Sequence, residues 1–445
     1  MDVVDAERAA AGRAAMDSIL SQLFALTAGK KDTKPSAQQG TEATDQRESS
    51  ICEAIYSLAN AASPGTRMGS FLPGTERFVK VSTLGTGSHG VVTKARDSVT
   101  GETVAVKTLH PKPLYYTDCD DKEFESYKAE LQLPHRLLRE ACFMVACRGH
   151  PSLVRLSAIG RLPDTAQYCL VMERVGPSLG HVLRHERGGK PFPERDVRRM
   201  MRQVLGGAKA MHDRGVVHRG IHSNNILVVG DSDGGGVKIG DFGEATSVSE
   251  TDVHCSRRMS HVAPEYLLHA PGAVKSELLD SWSMGCLMLE LLTGEDHFYV
   301  AEDSGSEGQL YRVFDVLGVP GKLTMKAIKP RRDLNRAKEV RKWRARQRRL
   351  GKQQRSRLDD MVPCDALSEL GFEVLQGLLM INPKKRLTAA AALQHQWFAK
   401  EYDTDEYDPD DYDHQHYDHH DNPLVPAARE FVGALEELLE SQASA

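Results

Sequence analysis

The run Gly85-Thr86-Gly87-Ser88-His89-Gly90 lies between two β-rich stretches, FVKVSTLG and GVVTKARD. A G-x-G-x-x-G run that opens a helix points to a dinucleotide fold. Here the strand-like Val91-Val92-Thr93 follows instead, so the glycines turn a hairpin. Lacking side chains, they let backbone N–H groups approach an anion closely. A plain glycine-rich hairpin is the competing reading, and the next motif weighs against it. Val104-Ala105-Val106-Lys107 forms the following strand. A lone strand lysine is usually an exposed charge; beside such a loop it reads as a phosphate contact. That ammonium needs a carboxylate to hold it. Pro134 opens a helix-like segment, PHRLLREACFMVAC, in which Glu140 shares a face with Leu137 and Met144, three residues before it and four after. Glu140 is the expected partner, although taken alone it reads as a solvated helix charge.

Further motifs follow in order: VVHRGIHSNNIL at 216–227, IGDFG at 239–243, Ala263-Pro264-Glu265, Asp280-x-Trp282-x-x-Gly285, and Arg386 within NPKKRLT. Together with the glycine loop, VAVK and Glu140, this set resembles the eukaryotic protein kinases over about residues 76–399. Within them the chain is similar to the cyclin-dependent kinase group and its divergent plant F-type members. The segments PHRLLRE and QLYRVFDVLGVP and a long insert before the final helices carry that likeness. The resemblance implies an α+β, bilobal kinase fold with a β-rich N-lobe over 73–175 and a helical C-lobe over 176–400. Residues 1–72 form an extension, helical in spacing at Ile19, Leu20, Leu23 and Phe24, with a polar linker at 31–50.

The resemblance also implies site residues and the cofactors ATP and Mg²⁺. Leu84, Gly85, Thr86, Gly87, Ser88, His89 and Gly90 would cover the nucleotide. Lys107 would bind its phosphates and pair with Glu140. Val92, Ala105 and Leu227 would sandwich the adenine, with Met172 as gatekeeper and Glu173 to Val175 as hinge. Asn225 and Asp241 would offer oxygen ligands to Mg²⁺. Met144, His218 and Phe242 would belong to an internal stack. Glu265 and Arg386 would form a structural ion pair, and Asp280 would brace the catalytic loop.

The chain departs from the family where chemistry is concentrated. The family carries Asp after His-Arg, and Lys two residues later. Here His218-Arg219 is followed by Gly220, and His222 stands where the Lys would be. Glycine has no group to accept a hydroxyl proton. Arg258 replaces a usual Thr before the APE motif, and Val253 lies near the usual activating phosphosite. Ser88-His89 replaces an inhibitory Thr-Tyr pair. A general base contributes roughly 10²–10⁴-fold in rate, so the loss is severe. Phosphoryl transfer relies chiefly on positioning and charge, which leaves a slow residual reaction open. Two readings stand: a pseudokinase that binds ATP–Mg²⁺ and acts through partners, and a weakly active Ser/Thr protein kinase.

Charge and cysteine usage bound the partners. Lys and Arg number 57 and Asp and Glu 62, for a formal net charge of −5, which gives no global attraction to nucleic acid or membrane. No apolar run reaches the ~20 residues of a membrane helix; Leu278–Leu292 is interrupted by Asp280 and Glu290. The eight cysteines include no CxxC pair and read as reduced, intracellular core residues. Residues 326–357 hold fifteen Lys or Arg against Asp333 and Glu339. This basic insert reads as a solvated helix or a nuclear-import patch, placing the chain in nucleus or cytoplasm, with direct nucleic-acid binding the weaker reading. Residues 401–422 form an acidic tail in which Tyr402, Tyr407, Tyr412 and Tyr417 each precede Asp. Such a repeat builds no core and reads as disordered; its histidines form a weak metal-site candidate. An amphipathic helix is expected over 423–445. The partner or protein substrate is not named by the sequence. A cyclin-like partner is compatible with Pro134, Arg139 and Glu140, but His135-Arg136-Leu137 departs from the family helix and weighs against a typical cyclin.

Overall fold

The structure, a computed structural model, describes residues 14, 16–20, 54–55, 77–87, 90–109, 133–161, 168–230, 235–249, 259–268, 276–300, 305–318, 320–321, 324, 328, 345, 356–362 and 364–399. The linker at 31–50, nearly all of the basic insert, the acidic tail and the C-terminal amphipathic run lie outside them. So do Ser88, His89, Val253 and Arg258. The described residues divide into two compact units, one ending at Val175 and the other beginning at Gly176.

The first unit is built on a five-stranded antiparallel sheet in the order β1-β2-β3-β5-β4. The strands are β1 (Phe78–Gly87), β2 (Gly90–Asp97), β3 (Thr103–Thr108), β4 (Leu156–Arg161) and β5 (Tyr168–Glu173). The SVTGE turn between β2 and β3 is held by Asp97, whose carboxylate accepts from the Val99 N–H at 3.0 Å and the Thr100 hydroxyl at 3.0 Å. Arg77 closes on the same carboxylate with two bonds of 2.6 Å and holds its pKa well below the usual carboxylate range. Strand alternation sorts β3 into two faces. Val104 and Val106 join Ala95, Ala158, Cys169 and Val171 in one buried cluster, with Phe78 packed against it. Ala105 and Lys107 take the other face with Met172 and Leu170, their register partners on β5. β1 differs from the half-buried strand that its alternation suggests. Nine of its ten residues are exposed, Val79 and Val81 included, whereas β4, the other edge strand, is largely buried. Helix α1 (Leu133–Ala146) packs on β4 and β5.

The second unit is mainly helical. Helix α2 (Glu194–Asp213) starts with Glu194 and Asp196 in its first turn, the favourable end for negative charge. Helix α3 (Leu278–Thr293) is buried from Leu279 through Leu292, as a helix apolar all round must be. It stops at Gly294, whose positive φ of 81° makes a left-handed cap. Helix α4 (Gly305–Leu317) packs on the short turn Pro264–Leu267, and helix α5 (Glu369–Leu378) packs on α3. Two two-stranded ribbons complete this unit: β6 (Val216–Val217) with β9 (Thr246–Ser247), and β7 (Ile226–Val228) with β8 (Val237–Ile239). Among the described residues no helix is long and apolar enough to cross a membrane. Cys142, Cys147, Cys169 and Cys286 are buried free thiols and Cys364 is exposed. Burial pushes the Cys169 thiol up to about 11.

Candidate functional site

In the first unit, Lys107 of β3 donates to both oxygens of Glu140 on α1, at 2.7 and 2.8 Å. Both residues are buried, at 4% and 3% exposure, so neither charge is tolerable without the other. Removing Lys107 would take a charged partner from a buried carboxylate, at a cost of about 3–5 kcal/mol. Register places Val92 opposite Lys107 and Ala105 opposite Met172. The expected set Val92, Ala105, Lys107 and Met172 therefore shares one sheet face. Glu173 ends β5, and its carboxylate accepts from the Arg155 N–H at 2.7 Å; Val175 follows outside the strand, half-buried.

The glycine loop joins β1 to β2, with Gly87 opposite Gly90. Gly90 is dictated by packing, since a Cβ there would lie 2.0 Å from the Thr108 carbonyl oxygen. Gly85 and Gly87 are different. A Cβ on either would meet nothing within 4 Å, so the chain's own packing does not require glycine at those positions. Leu84 and Thr86 on the same strand are exposed. Glycines at 85 and 87, near the strand that carries a paired lysine, fit a phosphate-bearing ligand.

In the second unit, Asp280 of α3 organises the segment that begins at His218. It accepts from the His218 N–H at 2.8 Å and the Arg219 N–H at 2.7 Å, and lies 2.9 Å from His212 Nε2. Arg219 has a positive φ of 63° and Asp241 one of 60°, a conformation that costs non-glycine residues of order 1 kcal/mol or more. The His218 ring meets Phe242 edge-on at 5.0 Å, which forms that part of the expected stack; Met144 is buried in the other unit. Asn225 donates from Nδ2 to the Gly220 carbonyl at 2.9 Å, and its amide also carries an oxygen. Asp241 supplies a carboxylate, one oxygen of which accepts from the Gly243 N–H at 3.3 Å. Two hard oxygen donors suit Mg²⁺. Leu227 lies half-buried on β7, bridged to Ser178. Gly220 and His222 line one small cleft of about 30 Å³ with Arg219, His261, Tyr266 and Ser283.

Sequence reading passed over Glu290, His261 and Ser283. On α3, Asp280, Ser283 and Glu290 are spaced so that they share one face. Glu290 accepts from the Ser223 hydroxyl at 2.8 Å and from Arg184 at 3.3 Å. Ser283 donates to the His261 carbonyl at 3.0 Å, and His261 Nδ1 lies 3.2 Å from the Ile221 carbonyl. The available signal was a second acidic residue on the Asp280 face of an otherwise apolar helix. The expected pair of Glu265 with Arg386 is formed by two bonds, at 2.6 and 2.9 Å.

Burial of the His218 imidazole holds its pKa below the ordinary 6.5, against the opposing charges of Asp280 and Asp241. Burial raises that of Asp280, but the His212 hydrogen bond, the His212 and His218 charges and the His218 N–H together bring it below the ordinary value. As pH falls through 6.5 the unfolded chain protonates this histidine and the folded chain does not. The stability contribution is therefore complete above 6.5 and is lost below it. Denaturant unfolding between pH 8 and 5 should show a slope of up to about 1.4 kcal/mol per pH unit from this group. His218→Phe should flatten that limb; an identical limb in the variant would contradict the assignment.

Residues 78–398 match the family model of the protein kinase domain. The chain belongs to the protein kinase family. Its kinase domain is cyclin-dependent-kinase-like. It is 40% identical over 337 residues to cyclin-dependent kinase F-2 of Oryza sativa subsp. japonica, covering 74% of this chain and 91% of that one. It is 31% identical over 334 residues to cyclin-dependent kinase G-2 of Oryza sativa subsp. indica, with 73% and 41% covered. Cyclin-dependent kinase G1 of Arabidopsis thaliana is 30% identical over 335 residues, with 72% and 48% covered. The chain thus spans most of the F-type relative and under half of the G-type relatives. Kinase domains use ATP and Mg²⁺.

Proposed function

We propose that this kinase domain binds ATP–Mg²⁺ and acts chiefly by engaging protein partners, with phosphate transfer lost or strongly reduced. One observation carries the reading. The Lys107–Glu140 pair is complete at 2.7 and 2.8 Å, while the position that would supply the catalytic carboxylate is Gly220. Lys107 would hold phosphate oxygens and Asn225 and Asp241 the metal ion. Leu84 to Gly90, Val92, Ala105, Met172, Glu173, Val175 and Leu227 would shape the nucleotide's surroundings.

Mg²⁺-dependent binding of a fluorescent ATP analogue is the direct test. Wild type should bind, and Lys107→Met should weaken binding by at least about 10-fold, the worth of a charge-assisted hydrogen bond. A folded wild-type protein with no Mg²⁺-dependent binding at millimolar nucleotide would overturn the reading.

A second reading, a weakly active Ser/Thr kinase, is favoured by His222, whose ring lines the same cleft as Gly220 and offers a nitrogen as base or cation. Phosphate transfer by wild type that vanishes in His222→Ala would select it. The partner in our reading is not a typical cyclin, because His135-Arg136-Leu137 departs from the family helix. Nuclear import through the basic run 326–357 is part of the same proposal.

A further inference from the structure

A carbonyl oxygen has no proton to give, so a group that hydrogen-bonds to it must donate. His261 Nδ1 lies 3.2 Å from the Ile221 carbonyl oxygen, and Nδ1 therefore carries a proton. In a neutral ring the other nitrogen, Nε2, is then a lone pair that can only accept. That lone pair would face negative charge. His261 Nε2 is 4.0 Å from Glu290 Oε2 and 4.0 Å from Asp296 Oδ2. The side chains of His261 and Glu290 are buried, and that of Asp296 is 16% exposed, so solvent screens these contacts little. Glu290 Oε2 accepts no hydrogen bond among the described residues. A proton on Nε2 turns a lone pair opposed by two anions into a cation held between them.

The groups around this ring come from several elements. Arg184 lies 3.3 Å from the other oxygen of Glu290, which also accepts from the Ser223 hydroxyl at 2.8 Å. With His261 charged, two cations, Arg184 and His261, balance two anions, Glu290 and Asp296. The His222 ring meets the His261 ring edge-on at 6.2 Å. On α3, burial first, and then the charges of Asp296 and Glu290, push the Cys286 thiol up against the opposing charge of Arg386. Helices α3 and α4 both pack on the turn Met259–His261. From α4 the uncharged Gln309 donates to the Ser260 carbonyl at 3.3 Å, and from α3 Ser283 donates to the His261 carbonyl at 3.0 Å.

We infer that His261 is an imidazolium at neutral pH, a clasp that fastens the turn Met259–His261 to Ile221, Glu290 and Asp296 and loosens when the Nε2 proton leaves. His261, Val262 and Ala263 line the cleft with Gly220 and His222, so the clasp sets how firmly that wall is held. Its contribution is complete at and below neutral pH and is lost as pH rises through the titration of His261 in the folded chain. The sign is opposite to that of His218, whose buried ring favours the neutral form. The clasp operates with or without nucleotide.

The full chain, labelled with nitrogen-15 at histidine and free of nucleotide, tests this. Ring-nitrogen NMR at about pH 7.5, one unit above the ordinary histidine value, should show both His261 nitrogens protonated, the signals being those lost in His261→Gln. Raising the pH further should give a neutral ring with the proton on Nδ1. Hydrogen exchange at residues 259–263, corrected for its intrinsic pH dependence, should speed up by about 10-fold over that step. Asp296→Asn should move the step to lower pH. A neutral His261 ring at about pH 7.5 would overturn the proposal, the two carboxylates then being bridged by water or themselves protonated. So would an exchange rate at 259–263 that ignores the His261 step or follows His222 instead. If His261→Gln fails to fold, the signals that move between wild type and Asp296→Asn keep the question decidable.

Discussion

Gly220→Asp is expected to raise the rate of phosphate transfer from ATP by about 10²–10⁴-fold over wild type, the range a positioned general base supplies. The site can take the side chain. Its Cβ would lie 3.3 Å from Asn225 Nδ2, 3.4 Å from His218 Nδ1 and 3.5 Å from His218 Cε1. These contacts require shifts of a few tenths of an ångström, and the residue has no positive φ to strain an L side chain. Gly220 also lines a small cleft with His222. Gly220→Asn has nearly the same shape without the basic carboxylate, so it should remain near wild type. Radiolabelled ATP with Mg²⁺ and a generic protein substrate reads the difference. If Gly220→Asp binds nucleotide and gains nothing, the missing base is not what limits transfer, and His222→Lys becomes the change to combine with it. If both Asp and Asn variants gain equally, the effect is one of packing and not of proton acceptance.

Arg386→Ala is expected to lower the unfolding free energy by about 3–5 kcal/mol, because it breaks a buried ion pair from one side. Glu265 is 3% exposed and would keep its charge with no guanidinium against it. Arg386 also donates to the Leu278 carbonyl at 2.7 Å and the Met380 carbonyl at 2.9 Å, and lies 5.1 Å over the Trp282 ring. It thus ties the Pro264–Leu267 turn to the start of α3 and to the end of α5. Arg386→Lys should recover only part of the loss, since an ammonium cannot repeat the forked bond to both Glu265 oxygens. Denaturant melts at neutral pH measure both. A double change, Arg386→Met with Glu265→Gln, should cost less than Arg386→Ala alone, because no unpaired charge is left behind. A loss below about 1 kcal/mol for Arg386→Ala would show that Glu265 finds water or another cation, and that the pair is peripheral to stability.

Both experiments bear on the same division of labour in the molecule. Asp280 sits at the end of α3 that Arg386 secures, and its two oxygens carry the His218 and Arg219 amides. Gly220 is the next residue. The backbone on either side of Arg219 is therefore held in place next to Gly220. This is what makes a single substitution at Gly220 informative: the neighbours need not be rebuilt.

Much of the first unit was legible in the chain because its signals are local. Strand alternation around VAVK, the turn SVTGE and the helical spacing of Leu137, Glu140 and Met144 depend on residues a few positions apart. They predict both the strand that carries Lys107 and the helix face that carries Glu140. The ordered motifs from Gly85 to Arg386 extended this reading to Asp280 and to the Glu265–Arg386 pair. Local spacing could not show that β1 stays exposed while β4, at the other sheet edge, is buried, since that depends on what packs over each strand. Nor could it show that Glu290 serves Ser223 and Arg184, 67 and 106 residues away in sequence. A lone acid in an apolar helix looks the same whether it faces solvent or a buried hydroxyl. The sequence by itself determined the periodic elements and the residues that pair through one strand or one helical turn. Only the tertiary structure decided which faces are covered and which buried charges meet, because burial is a sum over distant neighbours that no local pattern records.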